Sequence, residues 1–437
     1  MLDGDNGTLR GVAWSEIFPW LSIFRTFRLA ISLRVLLLAA VALLLTATGW
    51  ALFGWMFSGD PAAARVTQWT KPYQRCPWTA VTSVVPDRPS LPGMWQPVEA
   101  GEPSALVSPG QDPLFGSWAQ LSRPLWAAFD LRVNVSGLAC LVLCGLWSLA
   151  IWAFFGGAIT RIAAVELACE ERVGWGAALR YACSKWLSYC WAPLLPLIGV
   201  LLVAMPALAL GLLLRMDFGV LLAAVAWPVL LLAGWLMAIL LVGLIFGWPL
   251  MWGTISVEGT DSFDALSRSY AYVFQRPLHY LFYAVVAAAF GVLGWLLVSN
   301  FAASVVGLTY WAAGWTAGWD TLAEHAVPRM QVIVDGDPSL GSVGGAGAVL
   351  IHFWVGCVKL LAAGFPFGYF WIASTAIYVL LRRNVDATEM DEVFLDKDAS
   401  EQTYGVPPLG TDAAGAPVAA DGIVGNGESD EENGSAT

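Results

Sequence analysis

Three groups of residues have types and spacings suited to chemistry. Glu258, Asp261 and Asp264 bring three carboxylates into one short stretch, as metal binding or acid–base work requires. Asp320, Glu324 and His325, with Arg329, follow helical i,i+4 and i,i+5 spacing that would place metal ligands on one face. His352 and Lys359 lie about two helical turns apart on the same face of an apolar run.

Each group also has a plainer reading. Asp261 suits a helix N-cap, and Asp264 would then sit in a first turn that favours negative charge. Glu258 joins them as a solvated, structural acid, and Glu170 and Glu171 are read the same way. The outer Asp320–Arg329 group holds one histidine and two acids, so a solvated helix face is expected there. Lys359 is the one formal charge well inside a hydrophobic run. A central lysine costs about 2.5–3.5 kcal/mol on insertion scales, so it is normally paired or turned to water. With His352, Pro366 and the flanking glycines it would line a polar path. Alternatively, its stem carries the ammonium to an interface. The second reading is expected, because the run is too long for one span.

No P-loop, HExxH or GxSxG context occurs. Seven cysteines are present without CxxC spacing, and most lie in or beside apolar runs, where the thiol acts as a small hydrophobe. No metal, disulfide or cofactor is expected.

The elements that must hold these residues follow from composition. Only 13% of the chain is charged and 58% is hydrophobic, with a mean hydropathy of +0.65. Soluble domains carry roughly 25% charged residues, so much of this surface must face lipid. The 24 tryptophans suit aromatic belts at a membrane boundary. The net charge of −11 belongs to the C-terminal tail: residues 384–437 hold thirteen acids and a single base, Lys397. The remainder is nearly neutral, and nucleic-acid binding is excluded as a reading.

Six runs are long and apolar enough to span: 35–57, 135–159, 191–214, 219–247, 279–304 and 346–381. The expected fold is an all-α integral membrane protein with interfacial amphipathic helices. Residues 1–34 form an amphipathic N-terminal segment with Trp14, Ile17, Phe18, Leu21, Phe24 and Phe27 at helical spacing. Residues 58–133, rich in prolines and containing the β-prone run Ala80–Val85, form a small extramembrane domain. Residues 160–190 and 253–277 are amphipathic connectors, 305–345 is an outer segment, and 384–437 is an acidic, disordered tail. The last run would reach about 54 Å as one straight helix. It contains Gly364-Phe-Pro-Phe-Gly368, so a kinked span or a span plus an interfacial half is expected.

Arg10, Arg25, Arg28 and Arg34 precede span 1, and Arg161, Arg172, Arg180 and Lys185 follow span 2. Arg268 and Arg276 follow span 4, and Arg382 and Arg383 follow span 6. The positive-inside rule then puts both termini in the cytoplasm and 58–133 outside. Arg132 on the outer side runs mildly against it.

Within the 253–277 connector, Phe263, Leu266, Tyr270 and Val273 are expected on one apolar face, with Asp264 and Arg268 paired on another. A weaker copy lies 87 residues earlier, where Glu171, Ala178 and Leu179 match Glu258, Ala265 and Leu266. Val385-Asp-Ala-Thr-Glu389 is a third trace. The repeated unit is span, acidic turn, amphipathic helix, span. Gly243-x3-Gly247, Gly314-x3-Gly318 and Gly364-x3-Gly368 suit close helix packing, within the chain or in a homo-oligomer.

The stretch Glu258–Tyr280, which opens with Glu258-Gly-Thr-Asp-Ser-Phe-Asp-Ala-Leu-Ser-Arg-Ser-Tyr270 and runs on to Gln275-Arg-Pro-Leu-His-Tyr280, resembles, with Trp14-Ser-Glu-Ile-Phe-Pro-Trp20 and the Arg25/Arg28 segment, a family of uncharacterised bacterial multi-spanning proteins. These motifs cover about a tenth of the chain. The resemblance implies a bacterial inner-membrane protein and supplies no catalytic or ligand residues. A looser similarity, to helical membrane domains that accompany some phosphodiester hydrolases, rests on the acid-x-Ala-Leu-x-x-Ser pattern alone. The expected function is a non-enzymatic scaffold or accessory subunit whose partners are membrane lipids and other proteins. A small-solute or lipid transporter or channel is the alternative, and a lipid-modifying enzyme with interfacial carboxylates the third reading.

Overall fold

The computed structural model describes residues 19–73, 112–130, 132–169, 171–317, 341–388, 392–394, 409–411 and 417–419. A 3₁₀ turn at Pro19–Ser22 leads into α1 (Ile23–Ala30), whose Ile23, Thr26 and Ala30 are buried. Its rings meet later helices: Phe24 lies edge-on to Phe290 at 4.6 Å, and Phe27 contacts both Phe290 and Phe365 at 6.0 Å. The first long helix, α2 (Leu33–Met56), follows at once.

The connection from α2 begins with α3 (Pro61–Thr70), started by Asp60, whose side chain accepts from the Ala62 N–H at 2.9 Å, with proline at the first helical position. It ends in α4 (Phe115–Ala128). Both described ends of the 58–133 segment are therefore helical. They lie against the spans: Trp69 meets Trp50 of α2 at 5.6 Å. The β-prone run Ala80–Val85 lies outside the described residues, as do Trp14, Ile17, Phe18, Asp320, Glu324, His325 and Arg329.

The next six helices fall into two like halves. α5 (Val135–Ala168), the short α6 (Trp175–Ser184) and α7 (Trp186–Leu213) make the first. α8 (Asp217–Glu258), the short α9 (Ser262–Gln275) and α10 (Pro277–Ala317) make the second. Ala178 and Ala265, matched in sequence, are both fully buried on the short helices. The last long helix is α11 (Gly341–Asp386), 46 residues running through Pro366 as one element. Six of these helices are long and apolar enough to cross a membrane. The chain is an all-α, multi-pass membrane protein.

Gly259 stops α8. It adopts φ 69°, the left-handed region open to glycine, and its N–H bonds the Ile255 carbonyl at 3.0 Å. Asp261 then caps α9, accepting from the Asp264 N–H at 3.0 Å. α9 turns a different face inward from the one expected. Ala265, Ser269, Tyr272 and Val273 are buried, Leu266 and Tyr270 are half-buried, and Phe263 is 71% exposed. Phe263 stands at the second position of the helix.

At two of the three glycine pairs the close packing is within the chain. A Cβ on Gly243 would meet the Tyr270 ring at 2.2 Å, and one on Gly364 would lie 3.0 Å from the Leu36 oxygen and Ala40 nitrogen. These glycines admit the chain's own α9 and α2. Of the third pair, Gly318 lies outside the described residues.

A separate unit, Phe394–Thr437, contains two short antiparallel strands, β1 (Leu409–Thr411) and β2 (Pro417–Ala419), with Gly410 opposite Val418. Helical periodicity is absent from that stretch of the sequence, and Leu409–Thr411 and Pro417–Ala419 pair in antiparallel register.

Candidate functional site

The acids singled out by sequence have unequal fates. Glu258, the last residue of α8, has a side chain only 8% exposed and is the centre of an ionic cluster. Its Oε2 lies 2.8 Å from Arg268 Nη1 of α9. Its Oε1 accepts the Tyr378 hydroxyl at 2.6 Å and lies 3.1 Å from Arg382 Nε, both of α11. That Arg382 N–H is not aligned for a hydrogen bond, so the contact is ionic. Arg382 also donates to the Glu392 carbonyl at 2.6 Å. Glu258 is thus a buried junction, which corrects its reading as a solvated surface acid. Asp264 and Asp261 do stay at the edge: Asp264 pairs with Arg268 at 3.3 Å, half-exposed, and Asp261 caps.

Electrostatics follow the geometry. Burial lowers the Arg268 pKa, but the Glu258 and Asp264 carboxylates raise it more, so the guanidinium is held charged. Tyr272 of α9, which donates to the Asp386 carboxylate, has its phenol pushed up, first by burial and then by that carboxylate. Neither group is tuned for proton transfer near neutrality.

A second cluster meets the last turn of α8 from the other side. Arg161 Nη1 of α5 donates to the Ser256 carbonyl at 2.7 Å, and its guanidinium stands 4.1 Å over the Tyr181 ring. Tyr181 donates to the Ile255 carbonyl at 2.6 Å, and Lys185 Nζ to the Gly259 carbonyl at 2.6 Å. Helix C-termini leave carbonyls unsatisfied and attract cations, so these contacts complete α8 chemically. The Ser256 hydroxyl lies 2.6 Å from Thr160 Oγ1 and 2.7 Å from the Tyr189 hydroxyl. Among the described residues, no histidine or acid hydrogen-bonds these three hydroxyls as a base. Glu166 of α5 pairs with Arg34 at the start of α2 at 2.7 Å, and Arg34 also donates to the Val173 carbonyl.

All of these groups occupy the same end of the helix bundle, where α2 starts and α5, α8 and α11 finish. Arg34, Arg161 and Arg382 enter the sequence argument only as orientation flanks. Their bonding partners lie far along the chain, and only their clustering at span ends hinted at a shared layer. Lys359 is 1% exposed within α11, so its stem does not carry the ammonium to an open surface. His352 is half-buried, on the more exposed first part of the same helix. Among the described residues, no group of three or more His, Cys, Asp or Glu is disposed to hold a metal.

Next to this layer the core is aromatic. Trp252 and Trp371 stack at 4.1 Å and 11°, and Trp152 stacks on Phe367 at 5.2 Å. Beside these rings lies a cavity of ≈ 360 Å³ between α4, α5, α7 and α8, a volume ordinary for a small-molecule site. Trp118, Leu146, Trp152, Leu201, Trp248 and Trp371 are among its walls. Among the described residues no charged one lines it, and sequence reading gave no sign of it. Compared with known protein families, curated proteins and solved structures, the chain matches none of them.

Proposed function

We propose that this protein is a non-enzymatic scaffold or accessory subunit of a bacterial inner membrane, with both termini cytoplasmic. One observation carries the reading. The polar groups bond one another and the end of α8, while the parts of α7 and α8 far from that layer are largely unburied. The polar chemistry of the fold is thus consumed in holding helices together, as Glu258 and Arg161 illustrate. The remaining surface, with Leu201, Leu221 and Val225 exposed, is apolar and suits lipid or the spans of another protein. The basic flanks and the Glu258–Tyr280 resemblance support the location.

A photo-crosslinker at Val225 or Leu221, activated in intact membranes, tests this. Discrete protein adducts that survive mild detergent support an accessory role. Adducts to lipid alone would overturn it in favour of a small-solute or lipid transporter. The buried Lys359 and the apolar cavity favour that second reading.

A further inference from the structure

The two helices described between the first two spans reach far into the bundle. Where α2 finishes and α5 starts, a polar layer marks the membrane boundary. Asp60 caps α3, Asn134 caps α5 by accepting from the Gly137 N–H at 2.7 Å, and Arg65 pairs with Asp130 at 3.2 Å. From that layer α3 turns back along α2. Its Thr67 Oγ1 would lie 3.1 Å from a Cβ on Gly54, the Trp69 ring lies 5.6 Å from Trp50, and Tyr73 shares a small void with Thr46. Thr46 stands ten residues before Met56, so this point is roughly 15 Å below the layer.

α4 penetrates further. Its Ala128 end packs beside Leu141 near the start of α5, Pro124 lies 3.7 Å from a Cβ on Gly145, and Leu121 shares the same small void with Trp152. Trp152 is seventeen residues past Val135, roughly 25 Å along α5. Hydrocarbon is ~30 Å thick, so both helices lie within its depth. They meet there, with Gln120 Nε2 donating to the Tyr73 hydroxyl at 3.4 Å. A helix that starts inside a membrane must satisfy its first N–H groups from protein. Asp112 does so for α4, accepting from the Leu114 and Phe115 N–H groups at 2.7 and 3.1 Å. The open sides of the pair carry polar groups: Thr67, Gln68 and Lys71 of α3 and Arg123 of α4 are exposed. Lys71 and Arg123 make no ion pair or hydrogen bond among the described residues. Charges at membrane depth face a partner or water. Lys71 lies eleven residues past Asp60, roughly 16 Å, which is deeper than a lysine stem can span to reach the boundary. Phe115 and Trp126 are also exposed on α4, but an aromatic ring tolerates water better than an unpaired cation tolerates lipid.

We propose that α3 and α4 are re-entrant helices lining a water-filled inlet, which opens at the Asp60–Asn134 layer and ends blind at the Tyr73–Gln120 contact. Below that contact Trp152 and Phe367, stacked at 5.2 Å, close the floor. The pair enters and leaves at one face, so the six crossings are unchanged. The inlet admits small polar solutes to mid-membrane depth. It goes beyond the scaffold role and does not depend on it.

The test makes Gln68→Cys, Ala119→Cys, Leu146→Cys and Arg132→Cys singly in the full chain. Isolated membranes, open at both faces, are treated with an impermeant maleimide, and labelled peptides are identified by mass to separate them from native cysteines. Ala119 is exposed on α4 nine residues before its end, and Arg132 is exposed in the polar layer. Leu146 is 45% exposed on the spanning helix α5, eleven residues past Val135, and so at similar depth. Gln68→Cys and Ala119→Cys should label within about threefold of Arg132→Cys, and Leu146→Cys at least about tenfold more slowly, because a thiol in apolar surroundings stays protonated. Membrane abundance and detergent melting like wild type show which variants are folded, and with two inlet positions the loss of one still leaves a reading. Leu146→Cys labelled as fast as Ala119→Cys would place α4 outside the hydrocarbon and overturn the proposal. So would labelling at Gln68→Cys or Ala119→Cys as slow as at Leu146→Cys, which would put that side in lipid.

Discussion

The Glu258 carboxylate closes the end of α8 by lying 3.1 Å from Arg382 of α11, a residue from the far end of the last span. Arg268 meets its other oxygen at 2.8 Å, so one buried acid ties α8, α9 and α11 together.

Removing that acid should be far worse than removing its exposed neighbour. Glu258→Ala leaves Arg382 and Tyr378 without their anion, and breaking a buried pair typically costs about 3–5 kcal/mol. Asp264→Ala loses only a half-exposed helical pair, about 0.3–0.5 kcal/mol. Unfolding in detergent and membrane abundance should rank Glu258→Ala well below Asp264→Ala. Equal abundance of the two variants would contradict the junction.

The hydroxyl cluster makes a separable prediction. Ser256→Ala leaves the Tyr189 and Thr160 hydroxyls short of a partner in a buried site, at a cost of about 1–3 kcal/mol. Arg161→Lys keeps the charge but loses the planar group over Tyr181, and should destabilise to a similar extent. A melting temperature unchanged in both would show that the cluster adds nothing to stability.

Close approach of α2 and α11 depends on Gly364. A side chain there meets backbone atoms of Leu36 and Ala40, which have no rotamer to give. Gly364→Val should therefore cost about 1–3 kcal/mol. Gly211→Ala, with open space around its Cβ, should be nearly silent in the same unfolding assay.

Topology is tested chemically. Cys76 lies in the connection between the first two spans and is expected outside, while the acidic tail is expected inside. An impermeant maleimide applied to intact cells should label Cys76 and spare a cysteine placed near Ser400. Labelling of both would require an even number of crossings between them, against the five expected.

The six spanning helices were legible from sequence because hydrocarbon imposes a local rule: about twenty consecutive apolar residues and few charges. The Asp261 cap was legible for the same reason, since a cap involves only neighbours along the chain. The two-part repeat showed itself through Glu171, Ala178 and Leu179, and recurs as long–short–long helix order. What tertiary structure decided was whatever joins distant segments. Glu258 reads as one more acid beside Asp261 and Asp264 until α11 brings Arg382 and Tyr378 to it. Phe263 fits an apolar stripe by periodicity, yet the packed helix buries Ala265 and Ser269 and leaves Phe263 exposed. The cavity follows from the packing of helices that share no local pattern. Apolar length is a property of one segment, whereas burial, pairing and cavities are properties of contacts, and those exist only once the helices have met.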